Sequence, residues 1–371
     1  MSGAGKRTKP EPLLERGDPA PWFHAATLSG SPNYAFHTVA GRHVLMLFLD
    51  SASDPHAAGA LAHVTQGRAV FDDERACFFG VTCDPRDVAA GRIAQQLPGI
   101  RFFLDFDRAV STAFGVERSG RHTAQWLLLD PALRLLGLFP VNEGGQALAQ
   151  LQVALDSPVA DQWAPVLMVP NILPSELCTE LIRGYAANGG NDSGFMRDVA
   201  GKTVLLLDPY LKQRRDWNIE DESLKQRIIR HINRHLTVPI QRAFQFTPTR
   251  VERYLVACYK AGAGHFRQHR DNTTKGTAHR KFAVTINLNA DEYDGGDLRF
   301  PEFGQRTYRA PSGGAIVFSC SLLHEALPVS RGRRYAFLPF LYDEAAAALR
   351  ETNNPYLGDG LEPYSHTQRK V

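Results

Sequence analysis

The sequence has no apolar run of the roughly 18–20 residues that a membrane-spanning helix needs, and it contains no Cys-x-x-C pair. Its five cysteines, an odd number without regular spacing, do not make a disulfide framework. The opening MSGAGKRTKPEP lacks the apolar stretch of a secretory leader. These absences make cytoplasmic residence, with no membrane association, the expectation. Excess charge of one sign is also missing. Forty-two Lys and Arg face 39 Asp and Glu, leaving +3 over 371 residues. That is too small a surplus to suggest nucleic acid as a partner. Lys6, Arg7 and Lys9 do gather near the start, among prolines, and read as a solvated tail.

A hydrophobic content of 43% with 22% charged residues is ordinary for a folded protein. The length exceeds what one compact core usually holds and predicts two domains. In the first half, HVLMLFLD (His43 to Asp50), ACFFGVTCD (Ala76 to Asp84) and RFFLD (Arg101 to Asp105) have the composition of buried strands. A helical stretch from Pro55 lies between the first two. WLLLD and LRLLGLF flank Pro131-Ala132 as a hairpin, and a helix over about Gly145 to Leu155 closes an α/β unit spanning 14–156. SPVADQWAP (157–165) breaks the periodicity and is the expected linker, with a second domain over 166–346 and a tail over 347–371. In that domain a helix starts after Pro174-Ser175, with Ser175 as its cap, and a longer amphipathic helix covers about Glu220 to Phe244. From Val251 the chain becomes short strands parted by Gly, Pro, Asn and Asp: RYLVACY, KFAVTINLN, GDLRF, GAIVF and RYAFLPFLY. That pattern predicts a sandwich or barrel with helices outside.

HFRQHRDN (His265 to Asn272) permits three chemistries. As a kinase catalytic loop it fails, because the Asn due five residues after the Asp is replaced by Gly276 and no DFG follows. As a helical zinc pair, His265 and His269 lack a helix. Gly262 and Gly264 precede them, Asp271-Asn272-Thr273 follows, and no glutamate base stands between them. The third chemistry is an iron site. His269 and Asp271, two apart on an extended segment, point the same way. With a histidine from a distant strand they make a 2-His-1-carboxylate triad with open positions for co-substrate and dioxygen. His324 is that candidate, and ten residues on Arg334 offers a fork matched to a carboxylate.

From about Leu167 to Tyr342 the chain resembles the prolyl 4-hydroxylase branch of the 2-oxoglutarate- and iron-dependent oxygenases. The resemblance rests on YKAGAGHFRQHRDN, RKFAVTINLNADEYDGGDLRFPEFG and GGAIVFSCSLLHEALPVSRGRRYAF, in that order. It implies a double-stranded β-helix (a jelly roll of the cupin kind) with flanking helices. His269, Asp271 and His324 match the Fe(II) ligands, and Arg334 matches the residue that pairs with the distal carboxylate of 2-oxoglutarate. Arg333 is adjacent, but strand neighbours face opposite sides. Tyr259 matches an aromatic hydroxyl that reaches the co-substrate in relatives. In KFAVTINLN, Phe282, Val284, Ile286 and Leu288 form the apolar face, while Ala283, Thr285 and Asn287 face the pocket. Asn287 stands where relatives often carry tyrosine. Pro339 inside the last strand implies an edge or a bulge.

The reaction so implied consumes dioxygen and hydroxylates a C–H bond of an amino-acid, peptidyl or other small-molecule substrate, releasing succinate and CO2. Asp271 argues against halogenation, since halogenases of this class lack the carboxylate. Ascorbate as an accessory reductant and a homodimeric state are further expectations. Desaturation or demethylation at the same iron, and a non-enzymatic sensor of oxygen or co-substrate, are the alternatives. Arg253 shares strand parity with Tyr259 and would then face an acidic substrate. His265 and His279 read as hydrogen-bonded loop residues, and Cys258 and Cys320 as core.

GDPAPWFHAATLSG, HVLMLFLD and FFGVTCDPRD resemble the opening of a peroxiredoxin-like thioredoxin fold over about Leu14 to Leu155. Where that family places its peroxidatic cysteine, this chain has SASDPHAAGA (Ser51 to Ala60). Cys77 and Cys83 lie on one strand, about 20 Å apart, too far for a disulfide. The expectation is a redoxin fold that serves as scaffold, docking surface or substrate presenter.

Overall fold

The computed structural model describes residues 14–28, 30–157 and 162–365. The basic cluster at Lys6, Arg7 and Lys9, and part of the expected linker, lie outside them. The chain divides into two compact units, Met1–Asp161 with Pro301–Gly304, and Gln162–Phe300 with Gln305–Val371. No helix among the described residues is long and apolar enough to cross a membrane.

The first unit is built on a seven-stranded sheet. Its centre is three parallel strands, Ile100–Leu104, Ala76–Thr82 and His43–Leu49. Antiparallel Gln125–Leu129 and Leu135–Pro140 extend one side, and His24–Thr27 with Tyr34–Ala35 the other. The central strands are apolar almost throughout because both faces are covered. Helices Pro55–Gln66 and Gly144–Asp156 pack Ala57, Ala60, Val64, Ala147 and Leu151 on one face, against Leu45, Leu47 and Phe78. The other face carries Phe36, Phe79, Phe103 and Phe114. Asp54 starts the first helix by accepting from the backbone N–H groups of His56 and Ala57, with Pro55 in the first turn. This is the thioredoxin-like layout, parallel strands joined by a crossover helix and finished by a hairpin.

The second unit is a double-stranded β-helix. Its larger sheet runs Leu167–Val169, Ala315–Ser319, Phe282–Asn287, Arg333–Phe337, Leu255–Lys260, Arg215–Asn218 and Asn191–Asp192. The smaller one runs Lys212–Gln213, His265–His269, His324–Ala326, Leu298–Arg299 and Thr307–Tyr308. Alternation assigns the faces. Val256, Cys258, Val284, Ile286, Tyr335 and Phe337 pack outward beneath Leu177, Leu181, Leu224, Ile228 and Ile232 of the flanking helices. Their neighbours on the same strands, Tyr259, Ala283, Thr285 and Arg334, are left to line a pocket.

Four local expectations need correction. Ser175 does not cap its helix: extended Pro174 takes the cap position and Ser175 is the first helical residue. The single helix over 220–244 is two, Glu222–His235 and Thr237–Phe244. Pro239 has no N–H for the His235 carbonyl and cannot continue the ladder. Pro339 is neither an edge residue nor within a strand. It stands in the gap between Arg333–Phe337 and Phe340–Tyr342, where its carbonyl still accepts from Val284 N–H at 3.1 Å. The supposed tail begins inside a helix, Glu344–Thr352, because EAAAALRET forms helix readily and Asp343 caps it through Ala346 N–H at 2.8 Å. Its Ala346 and Ala347 are buried with Tyr342.

Candidate metal centre and its pocket

Two strands of the smaller sheet carry the histidines. His269 ends His265–His269, His324 begins His324–Ala326, and the two are directly paired. Asp271 follows one turn of chain later, where its N–H donates to Cys320 O at 3.0 Å. The ligand-capable atoms of His269, Asp271 and His324 lie within 4.8 Å of one another. His269 Nε2 is 3.6 Å from Asp271 Oδ1, and His324 Nε2 is 3.3 Å from Oδ2.

The other ring nitrogens are committed. His269 Nδ1 meets Arg267 O at 2.7 Å and His324 Nδ1 meets Leu322 O at 3.0 Å. A carbonyl accepts only, so each Nδ1 donates to it and each Nε2 is the ring atom turned toward the carboxylate. Burial, with His324 close by, pushes the His269 pKa down to about 4, so its imidazole is neutral near pH 7. Burial alone would raise Asp271, but the two imidazoles hold it well below the usual carboxylate range. Once the Nε2 atoms give up any proton, two lone pairs and a carboxylate face one another and repel. A divalent cation between them removes the conflict, and N2O ligation suits iron. Stacking of Phe266 on His269 (centroids 3.4 Å apart) and Phe318 against His324 (4.6 Å) fixes the ring orientations.

Across the pocket, Arg334 is 2% exposed while Arg333 is exposed. Arg334 is registered against Tyr259, its guanidinium 5.0 Å from that ring centroid. Its Nε and Nη1 are buried without a hydrogen-bond partner. A buried guanidinium left unpaired is costly, and a carboxylate is the ligand that satisfies its fork. Gly296 makes room for it. Its φ of +69° is left-handed, and a Cβ there would lie 2.8 Å from Val329 Cγ2 and 3.2 Å from Arg334 Cδ. These orphaned donors and the cation-seeking triad fit a metal-chelated dicarboxylate.

Tyr259 lines the pocket and its hydroxyl accepts from Arg214 Nη1 at 3.3 Å. Thr285 also lines it. Asn287 does not: its Nδ2 donates to Ala310 O at 2.7 Å, tying it to the neighbouring loop. His265 stands apart, with Nδ1 2.7 Å from Ala263 O and Nε2 3.0 Å from Tyr210 O. His279 is bound to Glu252 at 2.6 Å. Lys212 and Arg214 line the pocket too, and sequence reasoning passed over them. They lie in KQRRDWN, a charged stretch without a motif, and the pairings of Lys212–Gln213 with His265–Phe266 and of Arg215–Asn218 with Leu255–Cys258 bring them in.

The paired sheets thus bring together a His–Asp–His cluster that could hold a metal ion. Residues 254–342 match the family model of the 2OG-Fe(II) oxygenase superfamily. A PKHD-type hydroxylase of Synechococcus sp. (strain JA-2-3B'a(2-13)) is 33% identical over 124 residues, 31% of this chain and 54% of that protein. The chain thus spans about half the length of this relative. Among solved structures, a prolyl hydroxylase from Trichoplax adhaerens in complex with a hypoxia inducible factor peptide is 19% identical, covering 50% of this chain and 86% of that one at a TM-score of 0.40. Peroxidoxin BcpB from Mycobacterium tuberculosis is 20% identical, covering 38% and 97% at 0.33.

In the first unit, all thiols are reduced and buried. Burial pushes Cys77 up to about 12 and Cys83 to about 11. Neither is a thiolate near pH 7, and the thiolate is the nucleophile. Peroxide consumption with dithiothreitol as reductant is therefore expected at the protein-free rate. A faster rate that disappears in Cys77→Ser or Cys83→Ser would overturn this.

Proposed function

We propose that the protein is an Fe(II)- and 2-oxoglutarate-dependent dioxygenase that hydroxylates a C–H bond of an amino-acid, peptidyl or small-molecule substrate. The carrying observation is the pairing, in one pocket, of a His269–Asp271–His324 cluster arranged for a cation with the buried guanidinium of Arg334, whose Nε and Nη1 have no hydrogen-bond partner. Iron bound there supplies the oxidation: 2-oxoglutarate goes to succinate and CO2, taking one oxygen atom, while the other enters the substrate C–H bond.

The chain's own residues do the rest. His269, Asp271 and His324 hold the metal from one face, and the Nδ1 hydrogen bonds to Arg267 and Leu322 keep their lone pairs aimed. Arg334 orients the co-substrate from the far end, with Tyr259 beside it. Phe266, Phe318 and Phe340 line the walls and limit water.

The test is anaerobic. Adding Fe(II) and then 2-oxoglutarate to the purified protein is expected to give the visible charge-transfer band of a chelated 2-oxo acid. Admitting dioxygen should bleach the band and release succinate, faster when a substrate is present. No band at millimolar 2-oxoglutarate would refute the reading. A band without any substrate-stimulated succinate would favour a sensor instead.

A further inference from the structure

The pocket carries more positive charge than an iron site and its co-substrate require. Fe(II), Asp271, dianionic 2-oxoglutarate and Arg334 together sum to no net charge. Arg214 is matched by Asp216 at 2.6 Å. Lys212 donates to Gly194 O at 2.5 Å, and burial, with Arg214 nearby, holds its pKa well below the usual lysine value. Arg280, which stacks on Phe340 at 4.2 Å, is bound to Glu252 at 2.6 and 3.0 Å. Arg253 remains.

Arg253 lines the same pocket and stacks on Phe340 at 4.0 Å. Its one side-chain hydrogen bond among the described residues is a long one, Nη2 to Leu338 O at 3.4 Å, and its Nε is buried without a partner there. The neighbouring carboxylate, Glu252, is already shared by Arg280 and His279. Strand parity does not aim the side chain. Strand Arg250–Glu252 stops before it, Leu255–Lys260 starts after it, and Arg253 itself has φ +70°. A left-handed backbone is unfavourable for a residue with a side chain and persists where the surroundings enforce it. Here it turns a guanidinium into the pocket. Burial, then repulsion by Arg280 and Arg214, lowers its pKa to about 10, which leaves it charged near pH 7.

Arg253 and Arg334 leave the backbone at opposite ends of the Leu255–Lys260 strand. Arg334 is registered against Tyr259, near the end of the Leu255–Lys260 strand. Arg253 precedes the start of that strand and sits over Phe340, six residues beyond Arg334 along the chain.

Resting on the oxygenase reading, we propose that Arg253 binds a carboxylate of the substrate, so that the protein oxidises an acidic molecule or an acidic side chain held beside the metal. The guanidinium takes the acid through Nε and Nη1 while Phe340 supports its plane. The acid thereby fixes which C–H bond faces the iron.

The test is a binding measurement. Full-length protein loaded with Zn(II), which supports no turnover, and saturated with 2-oxoglutarate is titrated calorimetrically. The probes are aspartate, glutamate, their N-acetyl forms and short peptides with a central Asp or Glu, each against its carboxamide counterpart. At least one acid is expected to bind about ten- to a hundredfold tighter than its amide, as a charged hydrogen bond in a buried site gives. Free acids and peptides distinguish the two sources of the same group. Arg253→Gln should abolish the preference and Arg253→Lys retain part of it, both melting near the parent temperature and both keeping parental 2-oxoglutarate affinity. No acid-over-amide preference in the panel, a preference that survives Arg253→Gln, or loss of 2-oxoglutarate binding in both variants would each overturn the proposal. Absence of the iron–2-oxoglutarate band is a separate failure, that of the oxygenase reading itself.

Discussion

Alanine at His269, Asp271 or His324 is expected to abolish turnover, whereas alanine at His265 leaves the metal in place. The expectation follows from which nitrogens are free. His269 and His324 each spend Nδ1 on a backbone carbonyl and turn Nε2 toward Asp271. His265 spends both nitrogens on carbonyls and has no lone pair aimed at the cluster. Loss of a hydrogen bond that merely supports a ligand costs metal affinity roughly 10–100-fold, and loss of a ligand should cost more. Asp271→Ala also removes the one anion between two imidazoles, which leaves a neutral site for a dication. The measurement is Fe(II) affinity under anaerobic conditions, read with the 2-oxoglutarate charge-transfer band. Iron retained in His324→Ala but lost in His265→Ala would revive the histidine-pair site and end the triad.

Much of this site was legible because strand alternation and motif spacing are properties of the sequence itself. His269 and Asp271 are brought together by their short separation, although the strand ends at His269, and Arg334 rather than Arg333 goes inward because KFAVTINLN and RYAF each keep a strict outer apolar face. The first unit was legible for a different reason. Its strands are buried on both faces, so they are uninterrupted apolar runs bounded by turns. What escaped notice depends on pairing between distant segments or on backbone conformation. Lys212 and Arg214 reach the pocket through pairings with the His265 and Tyr259 strands, and a charged stretch carries no sign of such partners. Asn287 has the right parity but is captured by the Ala310 carbonyl. Arg253 reaches the pocket, though by a left-handed kink and not by parity. Two helices were read as one because the apolar stripe continues through Leu236 to Ile240, and periodicity outvoted a proline.

Removing the Arg334 side chain should raise the 2-oxoglutarate requirement steeply and leave Fe(II) binding largely intact. The guanidinium is buried, and its Nε and Nη1 have no hydrogen-bond partner. Truncating one member of a buried charge pair costs about 2–5 kcal/mol, so Arg334→Ala should need roughly 30-fold to a few thousandfold more 2-oxoglutarate for half-maximal band intensity. Lysine restores the charge without the planar fork, and Arg334→Lys should recover only part of the affinity. Arg333 is exposed on the opposite face of the strand, and Arg333→Ala should leave the titration unchanged. Because the chelating end of the co-substrate stays on the metal, the band in Arg334→Ala should reach its full height once enough 2-oxoglutarate is supplied. A band that never forms would mean that Arg334 holds the fold of the site. A titration shifted by Arg333→Ala and not by Arg334→Ala would mean that the inner and outer faces of the Arg333–Phe337 strand are interchanged.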